Sequence, residues 1–338
     1  MKAYRISHGG KIDGLQLENI VERPLDPYEV RVKVRTVSLN YRDLMVANGE
    51  YPVKIDIPIT PCSDGAGDVI AIGSMVTRVQ SGDRVAASFF PRWLEGRPDP
   101  VKIRNALGGD IDGMLAEEVT LHEETLVKIP DSLDYIGAST LPCAGVTAWN
   151  AIFESSDVRP GDTVLLLGTG GVSILGLQMA KAVGLRAIIT SSSDEKLVQA
   201  RALGADETIN YRENPEWQDE VLRLTGGKGV DVVLEVGGQG TIIRSVASTA
   251  VGGTIAVIGG VSGFGGEVNP STLSISAKRM VGIYVGSRGM LEQAAELVAG
   301  AGIQPVVDRV FPFAEVKDAY RYIESGAHFG KVVIDLTQ

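Results

Sequence analysis

From residue 162 onward, short unbroken apolar runs alternate with helix-patterned stretches, and this alternation restricts the fold more than any other feature. The runs are 163–167 (TVLLL), 185–190, 230–236, 253–258 and 279–285, with a shorter one near 208–209. Between them, 174–183, 194–203, 217–224 and 242–250 carry helical patterning. A strand that is apolar on both faces must be covered on both faces, which describes a parallel sheet flanked by helices. Right-handed crossovers then make the sheet doubly wound.

The first third reads differently. Residues 29–37 (EVRVKVRTV) alternate apolar and polar, the period of a half-buried strand. Further short strands are expected at 68–72, 84–87 and 115–121, punctuated by Gly65, Gly67, Gly73, Gly82 and Gly113. Such a series suggests a small barrel or sandwich. Residues 89–109, rich in Pro, Gly and charge, read as a long excursion loop. The tail adds a helix at 291–299, a strand at 306–310, a helix at 313–324 and a strand at 330–336. An α/β protein of two domains follows, and 338 residues suffice for both.

Composition narrows the partners. A net charge of −10 leaves no basic excess to neutralise phosphates, so nucleic acid is not expected. No apolar run approaches the roughly 20 residues that cross a bilayer, and the N-terminus lacks the apolar core of a signal peptide. Two cysteines, Cys62 and Cys143, make no disulfide framework. The expectation is a cytoplasmic protein acting on a small molecule.

The segment 164–173 (VLLLGTGGVS) has strand, glycine turn and helix start in the order of a dinucleotide site. Gly168 would allow the tight turn and Gly170 the approach of a pyrophosphate. Thr169, Gly171 and Val172 complete the turn at a helix N-terminus suited to negative charge. Two departures from the fingerprint stand out: Gly171 is an extra glycine, and Ser173 holds the third glycine position, with Gly176 beyond it. Roughly 20 residues after the first glycine, NAD sites place an acid for the ribose hydroxyls; here Ser191 stands there, followed by Ser192. Serine removes the repulsion a carboxylate would impose on a 2′-phosphate, and Lys196 could meet that phosphate as a point charge. NADP(H) is therefore expected over NAD. Ser192 and Glu195 read as a capping box for the next helix.

Taken together, several segments resemble the medium-chain dehydrogenase/reductase superfamily along essentially the whole chain. They are 38–43 (SLNYRD), 61–67 (PCSDGAG), 82–85 (GDRV), 141–148 (LPCAGVTA), 168–173, 209–212 (INYR) and 328–331 (HFGK). Within it, the sequence is most similar to alcohol-dehydrogenase-like and quinone-oxidoreductase-like members. The resemblance implies a GroES-like catalytic barrel from 1–127, to which 288–338 return, and a Rossmann NADP-binding domain at 128–287, with the nicotinamide in the cleft between them. It implies that Lys196 and Tyr211 hold the 2′-phosphate, that Gly237, Ile258 and Gly259 line the coenzyme groove, and that Gly286, Ser287 and Arg288 run past the nicotinamide amide. A homodimer joined near 283–285 is also implied.

In the zinc members a cysteine, a histidine and a further cysteine or aspartate hold the catalytic metal. The resemblance places Asn40, Ser63 and Cys143 at those positions, and no cysteine occurs in 89–109. An amide and a hydroxyl are poor zinc ligands, so no zinc is expected. Cys62, Asp64, His122 and Cys143 offer an unconventional set, but adjacent strand residues point to opposite faces, so Cys62 should face away from where Ser63 points. Without a metal, a hydrogen-bond donor must stabilise charge as hydride arrives. Tyr51 matches the position of an acid in related enoyl reductases, with Asn40 and Tyr41 as further donors; Tyr51 reads equally as a wall residue. Asp43 reads as an orienting carboxylate paired with Arg42 or backbone. Such a site suits quinones, enones or enoyl acceptors; alcohol–aldehyde interconversion and an NADPH-binding protein without turnover are the alternatives. Trp93, Trp149 and Phe264 are expected to shape the pocket.

Overall fold

The computed structural model describes residues 1–7, 9–52, 57–263 and 265–338; the wall candidate Phe264 lies outside them. Along the chain come β1 (Lys2–Arg5), β2 (Gln16–Asn19), β3 (Glu29–Leu39), β4 (Asp64–Ile72), β5 (Arg84–Ala87), β6 (Glu118–His122) and β7 (Leu126–Lys128). Then follow β8 (Thr163–Leu167), β9 (Arg186–Ser191), β10 (Glu207–Asn210), β11 (Val230–Glu235), β12 (Thr249–Val257) and β13 (Arg279–Gly282), and finally β14 (Val307–Pro312) and β15 (Lys331–Asp335).

Two compact units result: 1–146 with 286–338, and 147–285. The expected boundary at 127/128 falls earlier than the observed one because 128–146 belong with the first unit. Thr36 Oγ1 donates to Tyr135 O at 2.7 Å, and the Ile129 amide donates to Arg84 O at 2.9 Å. Residues 286 and 287 likewise sit with the first unit.

In the first unit, β3 is the spine. It pairs antiparallel with β4, β6 and β15, and the sheet runs β14-β15-β3-β4-β5-β7. The alternation read in 29–37 holds: Val30, Val32, Val34 and Val37 are buried, and the charged residues between them are not. At roughly 25 cal/mol per Å² this buried apolar face is the main term holding the unit together. The strand expected at 68–72 begins earlier, at Asp64, and the one expected at 115–121 begins later, at Glu118. The segment 89–109 is not a free excursion: Phe89, Phe90, Trp93 and Leu107 are buried, and Trp93 Nε1 donates to Gly96 O at 2.8 Å.

The second unit is a six-stranded, all-parallel sheet in the order β10-β9-β8-β11-β12-β13. Every side chain of β8 is buried, as an unbroken apolar strand requires. The chain moves outward one way through β9 and β10 and the other way through β11, β12 and β13. That places the topological switch between β8 and β11, where doubly wound sheets bind ligands at the carboxyl ends of their strands. Residues 283–285 continue from the edge strand β13, and the Ile283 amide donates to Val257 O at 2.8 Å. Among the described residues, no helix is long and apolar enough to cross a membrane.

Candidate active site

The second unit brings the predicted nucleotide residues to one end of its sheet. Gly168 follows β8 with φ of 72°, a conformation that strongly favours glycine, and a Cβ on Gly168 or Gly170 would enter open space. This open cradle lies at the N-terminus of the helix Gly171–Ala182, which has no side-chain cap, so its first N–H groups and dipole face the space a pyrophosphate would fill. The residues thus fit a dinucleotide. Ser173 is engaged locally, its hydroxyl donating to Leu167 O at 2.7 Å. The tight helix–sheet packing of the third fingerprint glycine falls to Gly176 instead, where a Cβ would sit 3.0 Å from Leu234 and 3.2 Å from Leu166.

At the end of β9, Ser191 is buried and its Oγ accepts from the Ser193 amide at 3.3 Å. The cap of the helix Asp194–Ala202 is Ser193, which accepts from the Lys196 amide at 3.3 Å; Ser192 is not the capping residue. Two adjacent serines make the pattern ambiguous by one position, and the extended backbone at 193 decides it. Ser193 Oγ also donates to Glu195, lowering that carboxyl's pKa. Asn210 pairs with Ser191, and the Tyr211 amide donates to Ser191 O at 3.0 Å. Ser191, Ser192, Lys196 and the exposed Tyr211 therefore gather at the ends of β9 and β10.

Glu235, which sequence reasoning passed over, organises the other side of the switch. It is fully buried at the end of β11. Its Oε1 accepts from the Gly237 amide at 2.8 Å, the Gly238 amide at 2.9 Å and Thr241 Oγ1 at 2.6 Å, and its Oε2 accepts from Ser245 Oγ. Its backbone carbonyl accepts from Ile258 at 2.8 Å and Gly259 at 3.3 Å. The predicted groove residues Gly237, Ile258 and Gly259 thus hang from one residue.

In the first unit, sheet register builds a buried polar cluster. β3 pairs Ser38 with Asp64 and Leu39 with Val332, so Asn40, Ser63, Asp64 and Lys331 meet where those strands end. Lys331 Nζ donates to Asn40 Oδ1 at 2.6 Å and to Leu39 O at 2.7 Å. Asp64 Oδ1 accepts from Ser63 Oγ at 2.7 Å, and Oδ2 accepts from the Cys143 amide at 3.1 Å. Burial pushes the Asp64 carboxyl up, against the pull of Lys331, Ser63 and Asn40.

Asn40 caps the helix Tyr41–Asn48, which local patterning did not reveal. Asp43 Oδ2 accepts from the Asn40 backbone N–H at 2.8 Å, and Oδ1 lies 3.3 Å from Arg42 Nη1. Asp43 thus pairs with both expected partners. Its burial, with Asp64 adding to it and Arg42 opposing, raises its carboxyl to about 6. The Arg42 guanidinium lies 4.9 Å from the centre of the Tyr51 ring and 4.7 Å from that of Phe89. Tyr41 is 47% exposed and stands apart from the buried cluster.

Cys62 does turn away from Ser63, but not by strand alternation. It precedes β4, has φ of 69°, and packs its Sγ 3.3 Å from Tyr320 Oη. Burial raises the Cys62 and Cys143 thiols above their usual range. His122 ends β6, its Nδ1 accepting from the Glu124 amide at 3.2 Å. Around Cys143, Asn40 has its oxygen on an ammonium and Ser63 donates to a carboxylate, so these residues do not make a donor set for zinc. Among the described residues, no group of three or more His, Cys, Asp or Glu could hold a metal.

The remaining predicted coenzyme residues lie in the first unit and have structural work there. A Cβ on Gly286 would strike Val146 and Met290, Ser287 Oγ accepts from the Met290 amide at 3.2 Å, and Arg288 pairs with Glu124.

Known proteins agree with this architecture. Residues 26–131 match the alcohol dehydrogenase GroES-like domain, and 171–300 match the zinc-binding dehydrogenase domain. A zinc-type alcohol dehydrogenase-like protein of Schizosaccharomyces pombe is 43% identical over 94% of this chain and 93% of its own length. Among solved structures, an NAD-dependent alcohol dehydrogenase has a TM-score of 0.91 at 34% identity, covering 99% of this chain and 100% of the other. The quinone oxidoreductase of Pseudomonas syringae has a TM-score of 0.83 at 29% identity, covering 99% of each chain. The chain belongs to the medium-chain dehydrogenase/reductase superfamily, with a GroES-like domain and a Rossmann-like parallel sheet, and it is an oxidoreductase.

Proposed function

We propose that this oxidoreductase uses NADPH to reduce a conjugated acceptor, a quinone, enone or enoyl compound, with side-chain donors where zinc relatives place a metal. The observation that carries this reading is the polar cluster of Asn40, Ser63, Asp64 and Lys331, which offers N–H and O–H groups but no zinc ligand set. The coenzyme, when bound, supplies the hydride. Asn40 and Tyr51 are assigned to stabilise the oxygen on which charge collects, Tyr51 as the proton donor.

NADP rather than NAD is supported by Ser191 at the ribose-binding position and by Lys196 and Tyr211 beside it. Gly168, Thr169, Gly170, Gly171 and Val172 are assigned to the pyrophosphate. A homodimer through the edge strand and 283–285 is part of the proposal, as is a small-molecule substrate. The names of the relatives at 43% and 34% identity favour a second reading, alcohol–aldehyde interconversion, and the latter name favours NAD.

The test is oxidation of NADPH and NADH by purified protein against quinone, enone and aldehyde panels, with metal analysis of the same preparation. Turnover of quinones or enones with NADPH, unchanged by a chelator, supports the proposal. Stoichiometric zinc, a strong preference for NADH, or turnover of aldehydes alone would overturn it.

A further inference from the structure

Lys331, the first residue of β15, is 3% exposed. Gly330 before it holds φ of 76°, and a Cβ there would come within 2.6 Å of Val306 O, so the turn that delivers Lys331 calls for glycine. The β15–β3 register then sets Lys331 against Asn40. An ammonium has only donors, so the atom it meets on Asn40 must be the carbonyl oxygen, and the amide –NH2 is turned the other way. That Nδ2 is buried and makes no hydrogen bond of full geometry, although it leans on the Asp64 carboxylate. It carries two hydrogens, and a buried donor of this kind is ready for an acceptor oxygen.

We propose that Lys331 is a positioning residue for the reduction: it locks the Asn40 amide so that Nδ2 donates to the acceptor oxygen that gains charge. This rests on the reading of a carbonyl-bearing acceptor given above. The acceptor carbon gains hydride from the reduced coenzyme, the conjugated π electrons shift onto oxygen, and a proton from a phenol or water completes the reduction. Lys331 never touches the acceptor. Its effect passes through the orientation of one amide, which distinguishes it from a cation acting on the substrate directly or from a counter-charge for Asp64 alone.

The experiment is a double-mutant cycle with Lys331→Met and Asn40→Ala, read in two ways. The first is turnover of the best enone or quinone. The second is binding of para-nitrophenolate, an oxyanion that cannot be reduced in this way, followed by its absorbance. Each single variant should lower kcat by about a hundredfold, the usual consequence of losing one oxyanion donor. Each should also weaken para-nitrophenolate binding by about tenfold, and the double variant should be no worse than Asn40→Ala. Binding of the coenzyme to the second unit should be unchanged, and calorimetry reports whether the first unit, which holds both residues, still folds. If Lys331→Met fails to fold, Asn40→Asp decides the matter, because it keeps an oxygen for Lys331 but lacks the N–H and should lose turnover by about a hundredfold. Losses that multiply in the double variant, or an Asn40→Asp enzyme as active as wild type, would overturn the assignment of Lys331 alone. A wild-type protein that turns over no carbonyl acceptor would overturn the functional reading and this one with it.

Discussion

Replacing Glu235 by alanine removes the acceptor for two backbone amides and two hydroxyls at once. The hydroxyls can turn elsewhere; Thr241 Oγ1 already lies 3.3 Å from Gly238 O. The amides of Gly237 and Gly238 cannot, and each orphaned buried donor costs about 1–3 kcal/mol. The expected destabilisation of the second unit is therefore about 4 kcal/mol, in the range for a broken buried network. That corresponds to a fall in Tm of roughly 8–16 °C for a unit of this size. Glu235→Gln should cost only about 1 kcal/mol, since its oxygen keeps three donors and Ser245 can rotate to accept from the new –NH2. Calorimetry of the coenzyme-free variants gives the stabilities. Fluorescence titration with NADPH should show binding weakened about tenfold in Glu235→Ala, equivalent to about 1.4 kcal/mol, because the loops holding Gly237, Ile258 and Gly259 lose their anchor. The reasoning fails if Glu235→Ala stays within 1 kcal/mol of wild type, or if the glutamine variant is as damaged as the alanine one.

Three further outcomes follow. Asp43 holds its proton more tightly folded, at about 6, than the roughly 3.9 of an unfolded chain, so its contribution to stability is full below the lower value and is lost as pH rises to 6. Relative to Asp43→Asn, the wild type should lose up to about 3 kcal/mol between pH 4 and 6 in urea titrations; a wild type that keeps pace with the variant, or gains on it, as pH rises contradicts the assignment. Lys196→Ala should weaken NADPH about tenfold and leave NADH unchanged, and equal weakening of both would remove Lys196 from the 2′-phosphate. Tyr51→Phe should lower kcat about a hundredfold if the phenol donates a proton, whereas activity within about twofold makes Tyr51 a wall residue.

The nucleotide unit was largely legible because its signals are local. Unbroken apolar strands, a glycine turn and a serine at the end of the second strand all sit within short windows, and β8, β9 and β11 lie where the apolar runs placed them. The cap at Ser193 rather than Ser192 shows the limit of such reading, since the choice rests on a backbone angle. The catalytic side was less legible. The helix Tyr41–Asn48 is short and mixed in polarity, and Cys62 turns from Ser63 through a left-handed backbone rather than a strand. Lys331 was visible only as part of a motif, because its partner Asn40 lies 291 positions away and only sheet register unites them. Glu235 looked like the end of an apolar strand; its four acceptor contacts depend on loops that fold back over it.

The place of β15 between β14 and β3 bears on the order in which the protein matures. The nucleotide unit is one continuous stretch and can close as soon as it leaves the ribosome. The first unit must wait for β15, and closing so long a loop is slow compared with local pairing. Until then β3 exposes an unpaired edge, the kind of surface that invites mispairing between chains. A nascent chain should therefore complete its Rossmann-like unit before its GroES-like unit.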